Sequence, residues 1–209
     1  MDRKWIDISQ ALSNDIAVWP GDTPFSFGLS VTKEQSTSVN IGKLTTSVHT
    51  GTHVDAPFHF DQTGKKIDEI DIGVYIGKAK VLDVTTFKTI DRDVLTSFEL
   101  EGVERLLLRM LPNRDIRKFP EEYPVLHVDV AGYLQEKGVR LIGVDTPSVD
   151  PLDSKTLDAH HALAIEGIHI LENIVLEHVA PGDYELIALP LKIKGADGSP
   201  VRAVIRPLA

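Results

Sequence analysis

Histidine and aspartate are concentrated in one short stretch of the sequence. Three of the eight histidines fall within the segment His49-Thr-Gly-Thr-His53-Val-Asp55-Ala-Pro-Phe-His59. Two neutral imidazoles and one carboxylate form a ligand set that zinc uses in proteins, with a further position open for water. We therefore predict a metal site at His49, His53 and Asp55, with a loop of hydrogen-bonded polar side chains as the alternative.

The backbone of this stretch must bend if His49 and His53 are to share an ion. In a regular strand their Cα atoms would be about 13 Å apart, and the intervening threonines and glycine are poor helix formers. Gly51 reaches positive φ without steric cost, so we predict a turn there that folds His53 back towards His49. His59 is left for proton transfer, because its ordinary pKa of about 6.5 suits chemistry at neutral pH.

A second group of candidate ligands lies between residues 158 and 173. Helical periodicity places His160 on an apolar face and rotates His161 by about 100°, which favours His160 and leaves His161 open. Further on, Glu172 shares strand parity with Ile170 and Ile174. The pattern alone favours a strand end that reaches water or an arginine. The alternative is a cation, since a buried carboxylate must be paired, and a binuclear site would need such extra ligands.

The composition indicates a globular protein that lacks cysteine chemistry. Its 209 residues, 42% of them hydrophobic, can bury a sizeable core. The net charge of −9 argues against nucleic acid as a partner. Cysteine is absent, so any metal must use His, Asp and Glu. Charged residues are spread through the first fifteen positions, which contain no apolar region of a signal peptide. No apolar run approaches the roughly 18 residues of a membrane span, so we expect no membrane partner and a cytoplasmic location.

The hydrophobic pattern predicts a mixed α/β protein. No repeat or long linker divides the chain, so residues 1–209 are treated as a single domain. Beyond a β-rich start, the pattern predicts strands at 78–84, 105–110, 125–128, 140–144 and 168–172, and helices at 92–98, 130–137 and about 154–165. The last two strands, 184–193 and 201–205, are predicted to form a hairpin joined by Gly195-Ala-Asp-Gly198.

The histidine-rich segment resembles a known signature. Residues 49–59 are similar to the HxGTHxDxPxH signature of the metal-dependent cyclase family. Within this family the chain most resembles the bacterial-type kynurenine formamidases. The segments that carry this resemblance are Trp19-Pro-Gly-Asp-Thr-Pro-Phe25, residues 150–172 (DPLDSKTLDAHHALAIEGIHILE), Leu189-Pro-Leu191 and Gly198-Ser-Pro-Val-Arg-Ala203.

The resemblance implies a fold, an oligomeric state and a set of site residues. The implied fold is a mixed α/β domain of the swivelling β/β/α kind, with a barrel-like β core flanked by helices, in a homodimer. The implied cofactor is a pair of zinc ions per subunit, with Mn²⁺ as the other candidate. The implied residues are His49, His53 and Asp55 on one metal, Asp55, His160 and Glu172 on the second, His59 for proton transfer, and Trp19 for the substrate ring. A packing role for Trp19 beside Pro20 is the alternative.

The activity implied by the resemblance is hydrolysis of N-formyl-L-kynurenine to L-kynurenine and formate, a step of tryptophan degradation by the kynurenine pathway. The sequence contains no cysteine and no Gly-x-Ser-x-Gly segment, so we expect water activated by metal to attack rather than an enzyme nucleophile. The alternatives are a related amidohydrolase for another aryl or cyclic amide, such as isatin, and a non-catalytic metal-binding module. Asp22 and Arg202 are candidates for binding the amino-acid end of the substrate.

Overall fold

The computed structural model describes residues 4–208, and it builds them into short strands with a few short helices. The strands are β1 (Ile6–Asp7), β2 (Ser26–Val31), β3 (Ile41–Thr45), β4 (His53–Asp55), β5 (Ile76–Asp83), β6 (Thr89–Ile90), β7 (Arg105–Arg109), β8 (Val125–Leu126), β9 (Leu141–Val144), β10 (His169–Glu172), β11 (Gly182–Ile187), β12 (Gly198–Pro200) and β13 (Val204–Pro207). The α-helices are α1 (Lys33–Ser36), α2 (Arg92–Thr96), α3 (Val130–Glu136) and α4 (Asp158–Ile165). Single 3-10 turns occupy Pro57–His59, Ile67–Glu69 and Ile72–Tyr75.

Nine of these strands form one sheet that is curled into a half-barrel, in the order β1-β13-β11-β5-β7-β9-β10-β4-β12. The central strands β5, β7, β9 and β10 run parallel, and the strands on both sides of them pair antiparallel. The first strand, β1, pairs with the last strand, β13, in this sheet. The predicted mixed α/β class with a barrel-like β core is confirmed.

The central parallel strands are buried on both faces, as the near-continuous apolar sequences of β7 and β9 require. On one face Leu106 and Leu108 pack in a layer that includes residues of α2, α3 and α4. On the other face Leu107 packs inside the curl with Tyr75 and Leu186. None of the helices between residues 4 and 208 has the length and apolar content that a membrane crossing requires.

Two sequence predictions about the C-terminal third need correction. Strands β11 and β13 do pair antiparallel, but no tight hairpin joins them, because the chain first forms β12 against β4. Pro200 has no backbone N–H to donate and suits this edge position. The predicted helix at 154–165 begins only at Asp158, because Leu157 before it has a φ of 49° and is not helical.

Candidate active site

Three neighbouring elements, β4, β10 and α4, bring four of the predicted ligands together. The register between β10 and β4 sets Glu172 opposite His53. His53 and Asp55 lie two residues apart in β4, so their side chains point to the same face. Helix α4 contributes His160 from its buried face, while His161 is exposed. Each of these four side chains belongs to a residue no more than 3% exposed.

Asp55, His160 and Glu172 form one cluster of potential metal ligands. Nε2 of His160 lies 3.4 Å from Oδ2 of Asp55 and 3.7 Å from Oε1 of Glu172. The sequence pattern alone favours a Glu172 side chain that reaches water or an arginine at the end of its strand. The structure instead buries its carboxylate beside Asp55 and His160. Oε1 of Glu172 also accepts a hydrogen bond from the backbone N–H of Val149 at 3.0 Å.

His49, His53 and Asp55 form a second cluster that shares Asp55 with the first. Nδ1 of His49 lies 2.9 Å from Oδ1 of Asp55, and Nε2 of His53 lies 3.4 Å from the same oxygen. Nε2 of His53 is also 3.4 Å from Oε2 of Glu172, so the two clusters are continuous. Gly51 has a φ of +66°, and the predicted turn between the two histidines is present.

Contacts behind the clusters orient two of the imidazole rings. Nδ1 of His53 lies 2.8 Å from the carbonyl oxygen of Gly51, and Nδ1 of His160 lies 2.6 Å from Oδ2 of Asp150. The Asp150 carboxylate also accepts hydrogen bonds from the backbone N–H groups of Ala159 and His160, which fix its orientation. Because Nδ1 of each ring donates to the acceptor behind it, Nε2 points towards the carboxylates of the clusters. Histidines that bind metals are commonly oriented in this way.

The carboxylates dominate the electrostatics of the site. Burial lowers the pKa of the histidines, but hydrogen bonds with carboxylates outweigh it and raise the pKa of His49 to about 9 and of His53 and His160 to about 10. For the acidic group the signs are reversed. Burial raises the pKa of Asp55, but hydrogen bonds with the three histidines hold it well below its usual range. The site therefore carries enough negative charge to retain protons on its imidazoles at neutral pH unless another cation replaces them.

One carboxylate oxygen indicates directly that a cation fits here. Oδ2 of Asp55 is fully buried and, with Nε2 of His160 at 3.4 Å, accepts no hydrogen bond of good geometry from the residues that the structure describes. An unpaired buried acceptor costs about 1–3 kcal/mol. The ligand atoms in each cluster lie within 4.8 Å of one another, and mixed imidazole and carboxylate donors are those that zinc accepts. The two clusters thus suggest a metal ion, and the residues present fit it.

His59 lies beside these clusters at the end of the 3-10 turn Pro57–His59. Its ring is 4.0 Å from the ring of His49 between centroids, and its side chain is 33% exposed. Burial lowers its pKa, which favours the neutral imidazole that can accept a proton. Nδ1 of His59 lies 3.4 Å from Oδ2 of Asp197, which is also 3.1 Å from Nε2 of His49.

Sequence reasoning missed Asp197, which it assigned to a hairpin turn. The residue reaches the site because β12 pairs with β4 and sets the neighbouring Gly198 opposite Asp55. Hydrogen bonding to His49 holds the pKa of Asp197 far below its usual range, so it is ionised. No local pattern marks it, since its position depends on a strand pairing between segments more than 140 residues apart.

A cavity of about 300 Å³ opens in front of the clusters. Its lining includes His59, His160 and Glu172 on one side, and the aromatic rings of Trp19 and Phe119. These two rings pack edge to face, with their centroids 5.3 Å apart. Trp19 is half-buried and lines the cavity.

Of the two residues suggested for the amino-acid end of a substrate, only one lies at this cavity. Asp22 is in the lining. Arg202 is not, and its Nη2 lies 2.6 Å from Oδ2 of Asp7 at another part of the surface. The cations that do line the cavity are Arg114 and Lys155, neither of which the sequence singled out.

The adjacent histidines of α4 provide a direct test of the ligand set. We expect His160→Ala to lower the amount of bound metal strongly and His161→Ala to leave it unchanged, because only His160 directs a nitrogen towards Asp55 and Glu172. Metal content of the purified proteins after dialysis measures both. Equal retention of metal by the two variants would exclude His160 as a ligand.

Comparison with known proteins gives close relatives over nearly the whole chain. The chain is 63% identical to a kynurenine formamidase of Bacillus cereus over 205 residues, which are 98% of each protein. It is 62% identical to the kynurenine formamidase of Bacillus anthracis over the same length and the same shares.

Solved structures share the fold at much lower sequence identity. Isatin hydrolase A from Labrenzia aggregata has a TM-score of 0.84 and 22% identity, and the match covers 99% of this chain and 94% of that one. Isatin hydrolase A from Ralstonia solanacearum also has a TM-score of 0.84, at 21% identity, with 98% and 92% covered. The sequence model of the Cyclase family matches residues 6–151. Together with the relatives of 62–63% identity, this match means that the chain belongs to the Cyclase family.

Proposed function

We propose that this protein is an arylformamidase that hydrolyses N-formyl-L-kynurenine to L-kynurenine and formate in tryptophan degradation, with residues 1–209 forming one hydrolase domain. The observation that carries this proposal is the 63% identity to a kynurenine formamidase over 98% of both chains. The cavity beside the buried ligand clusters and the paired rings of Trp19 and Phe119 agree with a small aromatic substrate.

The cofactor in this proposal is a pair of divalent cations, with zinc favoured over Mn²⁺ by the imidazole ligands. His49, His53 and Asp55 would hold one ion, and Asp55, His160 and Glu172 the other. Asp55 belongs to both sets, as a bridging carboxylate must, and Glu172 also lies near His53. When bound, such ions polarise an acyl oxygen and lower the pKa of water towards neutrality.

The protein's own residues orient the substrate and move the proton. Trp19 stacks on the aryl ring, and its edge-to-face contact with Phe119 fixes the orientation of the indole. Asp197 beside Nδ1 of His59 favours a proton on that nitrogen and leaves Nε2 as the acceptor. His59 takes a proton from the attacking water at Nε2 and returns it to the departing aniline nitrogen.

The activity is tested by mixing the zinc-supplemented protein with N-formyl-L-kynurenine and following kynurenine by its absorbance. We expect rapid release of kynurenine, loss of activity after treatment with a chelator, and recovery when a single metal is added back. The same assays with isatin, and add-back of Zn²⁺ against Mn²⁺, are the controls for substrate and metal. Full activity in the metal-free protein, or no kynurenine despite bound metal, would refute the proposal.

A homodimer is part of the same proposal, and an exposed ribbon supports it. Strands β2 and β3 pair only with each other in the part of the chain that the structure describes. They present Phe27, Leu29, Ile41 and Leu44 to solvent, each about half exposed or more. Several large apolar side chains exposed on one ribbon are typical of an interface with another protein. We also propose a cytoplasmic location.

Substitution in the ribbon tests the dimer. We expect Leu44→Asp to weaken dimerisation by roughly 10-fold or more, because it removes a buried leucine contact from the interface. Ile72→Asp is the matched control, since Ile72 is 61% exposed and Leu44 is 60% exposed, but Ile72 lies outside the ribbon. Sedimentation equilibrium measures the dissociation constant. A monomeric wild-type protein, or equal effects of both substitutions, would contradict the proposed interface.

A further inference from the structure

Arg114 places a guanidinium group in the wall of the active-site cavity. Nη1 of Arg114 donates to the backbone carbonyl of Asp145 at 3.2 Å and to the side-chain oxygen of Asn173. Nε of Arg114 is fully buried and donates to nothing that the structure describes. Within residues 4–208, no carboxylate forms an ion pair with Arg114.

The side chain of Asp145, whose backbone carbonyl accepts from Arg114, makes its own hydrogen bonds elsewhere. The Asp145 carboxylate accepts hydrogen bonds from the backbone N–H groups of Met110 and Leu111 at 2.9–3.2 Å. Burial raises the pKa of Asp145 to about 7, against the opposing effects of its backbone hydrogen bonds and of the charge of Arg114. Burial also lowers the pKa of Arg114, which reflects the cost of desolvating its charge. A partly buried cation in this situation is stabilised by an anion.

The position of Arg114 relates it to the reaction site. Asn173, which accepts its hydrogen bond, directly follows Glu172, a residue of the metal cluster. The guanidinium is thus held at a fixed distance from that cluster, and Arg114 lines the same cavity as Trp19 and Phe119. A substrate with its ring against Trp19 and its formyl group at the cluster has its remaining end in this cavity.

We propose that Arg114 binds the α-carboxylate of the substrate and makes the enzyme selective for aryl formamides that carry an amino-acid end. This inference rests on the proposed formamidase function. Nη1 of Arg114 already donates to two acceptors and Nε is fully buried, so Nη2 is the donor left for the substrate carboxylate. A hydrogen bond between two charged groups is strong and gives direction. The substrate carboxylate supplies the direct ion pair that no carboxylate within residues 4–208 forms with Arg114.

The test compares two substrates that differ only in the carboxylate: N-formyl-L-kynurenine and its decarboxylated analogue, which keeps the formamide and the amine. We expect wild-type kcat/KM to favour the first by roughly 10- to 100-fold, the range for a hydrogen bond to a charged group. Arg114→Gln should bring this ratio close to one, mainly by raising KM for the first substrate. Lys155→Gln is the matched control, since it removes an exposed cation from the same cavity and should keep the ratio within about threefold.

The outcomes separate this inference from the function on which it rests. Equal losses on both substrates in Arg114→Gln would show a structural role, and an unchanged ratio would show no role, so either overturns the proposal. A wild-type enzyme that is active without preference overturns it too, while the formamidase function stands. Failure of the wild-type enzyme on both substrates overturns the function and the inference together. If Arg114→Gln does not fold, Arg114→Lys decides, because lysine keeps the charge but cannot hold a planar group against Asp145 and Asn173 as arginine does, and it should lower the ratio.

Discussion

Asp55→Asn is expected to remove metal from both clusters and to reduce turnover of N-formyl-L-kynurenine to background. Asp55 is the one residue that belongs to both ligand sets, with Oδ1 facing His49 and His53 and Oδ2 facing His160. Asparagine has nearly the same shape, but it has no negative charge and replaces one oxygen by an N–H donor. The loss should exceed the roughly 10- to 100-fold effect that is typical of residues behind the ligands.

The measurement is metal content by mass spectrometry together with kcat on the same preparations. Asp150→Asn is the matched control, because it makes the same chemical change at a buried carboxylate that contacts His160 from behind. We expect it to weaken metal binding by about 10- to 100-fold without abolishing it. Comparison with metal-free wild-type protein separates loss of metal from loss of folding. Two bound ions and normal turnover in Asp55→Asn would exclude Asp55 as the shared ligand.

Local sequence carried much of the information about this site. The positions of His49, His53 and Asp55, with a glycine able to turn the chain, predict a cluster before any fold is known. The apolar periodicity of α4 also favours His160 over His161, and the structure buries His160 and exposes His161. These inferences succeed because they depend on backbone geometry within a few residues.

Other features of the site depend on strand pairings that local sequence does not determine. The alternation in β10 predicts that Glu172 lies on the same face as the core isoleucines. The register between β10 and β4 is what sets it opposite His53, and the local sequence does not determine that register. Asp197 reaches His49 and His59 through the pairing of β12 with β4, which also replaced the predicted hairpin connection. Arg114 lies in the irregular segment between β7 and β8, where no periodicity indicates a direction.

His59→Ala is expected to keep the bound metal and to lose most of kcat. The side chain is one-third exposed at the cavity. Its ring lies beside those of His49 and His160, and it groups with His49 and Asp197 rather than with Asp55 and Glu172. Removing it therefore leaves the ligand atoms of His53, Asp55 and the other cluster in place. Loss of a positioned general acid and base typically costs about 10²- to 10⁴-fold in rate.

Three measurements distinguish proton transfer from a role in metal binding. Metal content should match that of the wild type, KM should change little, and added imidazole should restore part of kcat by entering the space that the ring leaves. His161→Ala is the control, because it removes a neighbouring exposed histidine outside both clusters. A His59→Ala variant with normal turnover would remove His59 from the mechanism, whereas one that loses metal would make it a ligand. We expect the variant to retain its metal and to lose turnover. This result distinguishes a hydrolase from a module that only binds metal, because such a module has no use for a neutral histidine beside its ligands.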